Sequence, residues 1–148
     1  MVELLITVAV SALLLSVAIP SFTEMVQNNR LTTQANQFII ALNYARSEAI
    51  KRGATIDVIA TNATSANEWG GGWKVAVNGG ADLKFFPALD GNSTLDSDSD
   101  ISSFQYLASG RATVIETFSL CDDRTGETGR QISISATGRA SISNLACA

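Results

Sequence analysis

The chain has 148 residues, 46% hydrophobic and 16% charged, with a formal net charge of −4 at pH 7. That length suits one ordinary domain, and the apolar, weakly charged composition argues against disorder. There is no histidine, which excludes histidine-based triads, histidine-ligated zinc and imidazole proton relays. The acidic balance speaks against wholesale nucleic-acid binding but leaves room for a local basic patch.

The first element is the most apolar. Leu4 to Ile19 runs 16 residues without a charge, interrupted only by Thr7, Ser11 and Ser16. As a helix it would reach roughly 24 Å, slightly short of a bilayer's ~30 Å apolar core. A secretory signal peptide, a membrane anchor and a buried core helix compete for this pattern. No Lys or Arg precedes the run, and Pro20-Ser21-Phe22 follows it where a small-residue cleavage site would stand. A core helix in so small a protein would not be apolar all round. The anchor reading leads.

Beyond Pro20 the pattern turns amphipathic. Leu31, Ala35, Phe38, Leu42, Ala45 and Ala49 recur at helical spacing, and Arg30, Gln34, Gln37, Arg46, Lys51 and Arg52 mostly lie off that stripe. Lys51 and Arg52 suit the negative end of the helix dipole, and Gly53 suits the position just past it. Residues 1–52 therefore read as one long helix: 1–23 a membrane-spanning or filament-core segment, 24–52 an amphipathic half. Pro20 should kink or locally melt it.

Residues 53–148 read as a β-rich head. Strands are predicted at Ala54–Ala60, Trp73–Val77, Leu83–Phe86, Ala112–Phe118 and Gln131–Ser135, with a weaker one at Ala140–Leu145. Glycine-rich turns separate them. The apolar stripe of the helix has only this sheet to bury itself against, so the expected fold is α+β: a long N-terminal helix packed on an antiparallel β-sheet. Asp90–Ser103 reads as a solvated loop. Its Asp96, Asp98 and Asp100 are spaced like the start of a calcium loop, but Ile101 replaces the turn glycine and Leu107 the bidentate glutamate. Cys121 and Cys147, the only cysteines, read as a disulfide tying down a C-terminal arm in an oxidising compartment; two buried thiols are the alternative.

The opening Met1-Val2-Glu3-Leu4-Leu5, with Ala18-Ile19-Pro20-Ser21-Phe22 after it, resembles the N-terminus of type IV pilins and type II secretion pseudopilins. Asn28-Asn29-Arg30-Leu31, Tyr44 to Arg52, Gly72-Trp73-Lys74-Val75, Leu120 to Arg124, Gly129 to Ile132 and Thr137-Gly138-Arg139 are similar to the GspH/FimT minor pilin family. The paired cysteines look more like its type IV pilus branch than its secretion branch. The resemblance implies a pilin fold, a single pass through the inner membrane with the head in the periplasm, and filament assembly with major and minor pilins and inner-membrane machinery. The Gly-Phe-Thr of a prepilin site would precede Met1, and a prepilin peptidase is a partner where that site exists. The resemblance also implies a role for Glu3: its carboxylate, costly in an apolar helix, pairs with the N-terminal amine of a neighbouring subunit. The alternative is a glutamate reaching to the headgroups.

Some FimT-like pilins bind DNA through a Gly-Arg-x-Arg tail. The matching Gly138-Arg139-Ala140-Ser141 keeps the first arginine and has serine for the second, so Arg139, Arg130, Arg124 and Arg111 are the candidate DNA contacts. Pairing of these arginines with Asp122, Asp123 and Glu127 is the competing reading. No catalytic group, metal or cofactor is expected. Asp122-Asp123 are adjacent and poorly placed to converge on a substrate, the Gly70–Gly72 run lacks the Lys-Ser/Thr of a phosphate loop, and Trp69 and Trp73 read as packing rather than a stacking platform. The function expected is a minor pilin acting by subunit packing. A type II secretion pseudopilin, a DNA-binding pilin of natural transformation and a non-polymerising anchored domain are the alternatives.

Overall fold

The computed structural model describes residues 1–64 and 67–147; the side chains of Val17, Ala18 and Pro20, and with them the bend expected at Pro20, lie outside the described residues. Helix α1 covers Val2–Arg52. The chain divides into two compact units, Met1–Arg30 and Leu31–Ala148.

In the first unit every described residue from Met1 to Val26 is exposed. These include Leu4, Leu5, Leu13, Leu14 and Phe22, each about two-thirds exposed or more. The hydroxyls in the run are satisfied locally: Thr7 donates to the Leu4 carbonyl at 2.9 Å, Ser11 to Thr7 at 2.7 Å and Ser16 to Leu13 at 2.7 Å. A polar side chain that bonds its own helix backbone leaves no donor for lipid to desolvate, so the segment is apolar outward despite its hydroxyls.

In the second unit the stripe behaves as its spacing requires. Leu31, Ala35, Phe38, Leu42, Ala45 and Ala49 are at most 1% exposed. The small alanines let the helix approach closely, and Phe38 fills the space between them. Its ring meets Trp69, Trp73 and Phe118 edge-on at 5.6, 5.0 and 4.9 Å. The helix ends in a Schellman motif: Gly53 sits at φ 60°, Ala54 N–H donates to the Ala49 carbonyl at 3.3 Å, and Gly53 N–H reaches that of Ile50 at 3.4 Å. Lys51 and Arg52 in that last turn both pair with Glu48, and the bond from Arg52 holds the Glu48 carboxyl below its usual range.

The strands are β1 Ile56–Ala60, β2 Trp73–Val77, β3 Asp82–Phe86, β4 Thr94–Ser97, β5 Ser103–Tyr106, β6 Glu116–Cys121, β7 Thr128–Ile134 and β8 Ala140–Ala146. They form two four-stranded sheets, ordered β3-β2-β1-β5 and β4-β6-β7-β8. All pairings are antiparallel. Phe38 joins the two, since Trp73 belongs to β2 of the first sheet and Phe118 to β6 of the second. Trp69, in the loop before β2, touches Phe38, Phe104 of β5 and Phe118, so helix and both sheets share one core.

Three expectations about strands need correction. Asp90–Ser103 is not a solvated loop throughout: it contains β4, whose Leu95 is 1% exposed in the core. β5 was not anticipated at all, although Phe104 and Tyr106 alternate as a strand requires. Both are only four residues long, too short for alternation to stand out from their Ser, Asp and Gln neighbours. Ala112–Phe118 is strand only from Glu116 onward. Residues 111–115 instead run beside β5, where Ala112 bridges Tyr106 and Thr113 N–H donates to the Gln105 carbonyl at 2.9 Å.

Candidate functional site

Glu3 lies in the first turn of α1, exposed among apolar neighbours. The helix that carries it is long and apolar enough to cross a membrane. Among the described residues of this unit, those from Met1 to Val26 are exposed, so the surface it offers is apolar.

At the other end of the chain, Cys121 on β6 and Cys147 after β8 form a disulfide, with Cα atoms 5.9 Å apart. It reaches across β7, the strand between them in the sheet. Gly129 lies beneath the bridge. A Cβ there would collide with Cys147 Sγ and the Leu120 carbonyl and come within 3.1 Å of Cys121 Sγ, so a bare backbone is required for the crossing.

The four candidate arginines do not converge. Arg124 is neutralised locally, 2.7 Å from Asp122 and 3.5 Å from Glu127. Arg130 donates to the Thr128 and Gly129 carbonyls and to Thr32 Oγ1 at 3.0 Å, fastening the start of β7 to the helix. Arg111 and Arg139 follow two turns that touch. Gly110 (φ 77°) and Gly138 (φ 76°) face each other so closely that a Cβ on Gly138 would overlap the Gly110 carbonyl. Both arginines are exposed, and neither has an acidic partner among the described residues. Arg46 joins them, its Nε donating to the Gly110 carbonyl at 2.9 Å. Sequence spacing placed Arg46 off the buried stripe but carried no signal for this neighbour. Tyr106 lies under the same contact, 3.0 Å from a Cβ on Gly138. Burial pushes its phenol up to about 12, against the opposing pull of Arg46.

The acidic residues behave in two ways. Asp123 accepts the Asn92 amide at 2.7 Å and Asp122 holds Arg124, so this adjacent pair is engaged structurally. Asp96 and Asp100 instead meet Glu68, with carboxylate oxygens of all three within 4.8 Å of one another; Asp98 is outside the group. Glu68 is buried and accepts Ser97 N–H at 3.2 Å and its hydroxyl at 3.4 Å. Burial, then the neighbouring Glu68, pushes Asp96 up to about 6. The buried Glu68 is held below its usual range by its hydrogen bonds to Asp96 and Ser97, which outweigh desolvation. Trp69 and Trp73 are core residues, 0% and 1% exposed, and offer no stacking platform.

A long helix, exposed and apolar in its N-terminal part and buried along one stripe further on, carrying a disulfide-closed β head, defines a membrane-anchored assembly subunit. A family model described as Type II transport protein GspH matches residues 34–138. Crystal structures of the type IV minor pilin FimU of Pseudomonas aeruginosa (strain PAO1), in two crystal forms, superpose with TM-scores of 0.70 and 0.66 at 26% and 25% sequence identity. The matches cover 79% and 76% of this chain and 90% and 91% of the FimU chains. No curated protein matches the chain. The chain belongs to the GspH family of FimT-like minor pilins. It is anchored in the inner membrane through its N-terminal helix and takes part in pilus assembly as a structural, non-catalytic subunit.

Proposed function

We propose that assembly runs through two successive partners of the same helical surface. Before assembly, lipid covers the exposed apolar residues of Met1–Arg30; in the filament, the like helices of neighbouring pilins cover them. The observation that carries this reading is the contrast within α1, which exposes every described residue up to Val26 and buries a stripe from Leu31 onward. Stacking of such rods head to tail gives an open helical array rather than a closed ring. Glu3 then serves as the positioning charge. Its carboxylate has no basic partner among the described residues of its own chain, and a neighbour's N-terminal amine supplies one in an apolar setting, where such a pair is strong. The test is Glu3→Leu, which leaves the chain in the membrane fraction and removes it from filaments sheared off the cell. Undiminished recovery in sheared filaments overturns the assignment.

A second reading is favoured by one observation, the contact of the turns before Arg111 and Arg139, one of which Arg46 holds. This is a small cationic site on an otherwise acidic head, and phosphate contacts of this kind are additive and salt-dependent. Titration of fluorescent duplex DNA at low and at physiological salt, with Arg139→Ala beside the wild type, decides it. Binding that weakens with salt and with the substitution supports DNA capture; no binding at low salt removes it.

A further inference from the structure

A cleft of about 430 Å³ opens on the head between Asn62, Thr64, Asn67, Gly70 and Gly71 on one side and residues 89–94 on the other, within the ~300–1,000 Å³ range of small-molecule sites. None of its lining residues is charged. The polar side chains that line it are the amides of Asn62, Asn67 and Asn92 and the hydroxyls of Thr64 and Thr94, with Leu89 the one large apolar side chain.

Each amide is fixed by one end. Asn62 Nδ2 donates to the Gly71 carbonyl at 3.2 Å, Asn67 Oδ1 accepts Leu95 N–H at 2.9 Å, and Asn92 Nδ2 donates to Asp123 at 2.7 Å. Among the described residues the other ends are without side-chain or backbone partners, which leaves two acceptors and one donor group held in set orientations. Gly70 and Gly71 make this possible. A Cβ on Gly70 would overlap the Asn67 amide, and one on Gly71 would stand 2.6 Å from the Asn62 carbonyl oxygen.

We propose that this cleft binds an uncharged saccharide. Sugar hydroxyls both donate and accept, so they match a neutral mixture of fixed donors and acceptors. An anionic ligand would find no countercharge among the lining residues, and a purely apolar one would leave the amides desolvated and unpaired. With both nearby tryptophans buried, no aromatic face is available to stack on the sugar, so the dissociation constant expected is on the order of 1 mM.

The test uses the full chain in phosphocholine micelles, which carry no sugar headgroup, with ¹⁵N spectra recorded during titration with maltotriose and with the N-acetylglucosamine trimer. Saturable shifts of the Asn62, Asn67 and Asn92 side-chain amides by either sugar are expected. Asn62→Ala, which removes one of the two acceptors, should weaken binding roughly 3- to 10-fold. No saturable shift with either sugar overturns the proposal, as does an unchanged affinity in Asn62→Ala.

Discussion

Phe38 is the residue on which the helix and both sheets depend, and Phe38→Ala is the sharpest test of that packing. The ring is 0% exposed, and its removal takes away three edge-on contacts, to Trp69, Trp73 and Phe118. Truncating a buried phenylalanine costs about 3–5 kcal/mol in lost transfer energy and residual cavity. Edge-on aromatic pairs contribute about 0.5–1.5 kcal/mol each beyond area burial. Part of that overlaps the first figure, so a loss of about 4 kcal/mol is expected, a large fraction of the ~5–15 kcal/mol of a typical domain. Urea unfolding of the full chain in micelles, followed by tryptophan fluorescence, reads it directly, because both tryptophans of the chain touch Phe38. Ile40→Ala is the comparison: Ile40 is on the same helix but 56% exposed, and a loss under about 0.5 kcal/mol is expected. If Phe38→Ala costs less than about 1 kcal/mol, or no more than Ile40→Ala, the helix is not the keystone of the head.

Cys147→Ser opens a loop with a sequence separation of 26. The chain-entropy relation gives a loss of about 3.5 kcal/mol, to be read as a lower urea midpoint that matches the wild type under reductant. Gly53→Ala forces a side chain into the φ 60° position of the helix cap and should cost about 1 kcal/mol by the same assay. The Asp96 carboxyl binds its proton more tightly folded, at about 6, than its ordinary 3.8. Its contribution is therefore fully present below about pH 4 and is lost as pH rises through about 6. Because Asp96 is partly exposed, the loss is discounted to about 1 kcal/mol. Asp96→Asn should raise the urea midpoint at pH 7.5 and leave it nearly unchanged at pH 4; equal effects at both pH values would refute the raised Asp96 pKa as the cause.

The long-range plan of the molecule was legible where the signal was periodic. The six-residue stripe from Leu31 to Ala49 is long enough for a 3.6-residue repeat to stand clear of chance, and every member is buried. The strand Trp73–Val77 was bounded correctly because glycines flank it on one side and Asn78-Gly79 on the other. β4 and β5 escaped because their burial is decided by partners distant in sequence. Leu95 is drawn into the core by pairing with Leu120 across the sheet, and Ser97 is held there by Glu68, neither of which local spacing can report. The same limit applied to the arginines. Arg139 was a candidate from the tail motif and the other three from charge, and only the Gly110–Gly138 contact distinguishes the two whose turns touch from the one that is paired and the one that ties β7 to the helix.

That distinction bears on how far the missing second arginine of the tail motif matters. At Ser141 the chain has no cation, yet the turn bearing Arg139 rests on the turn bearing Arg111, and Arg46 anchors that second turn from the helix. The DNA-binding reading proposed above therefore relies on Arg111 and Arg46, from two other elements, in place of the cation absent at Ser141. Phosphate affinity counts charges within reach rather than charges within a motif. Arg111→Ala should then weaken any DNA binding about as much as Arg139→Ala, whereas Arg124→Ala, whose charge Asp122 and Glu127 already balance, should leave it unchanged. A larger loss from Arg124→Ala than from Arg111→Ala would show that sequence proximity to the motif, not the contact between the two turns, sets the site.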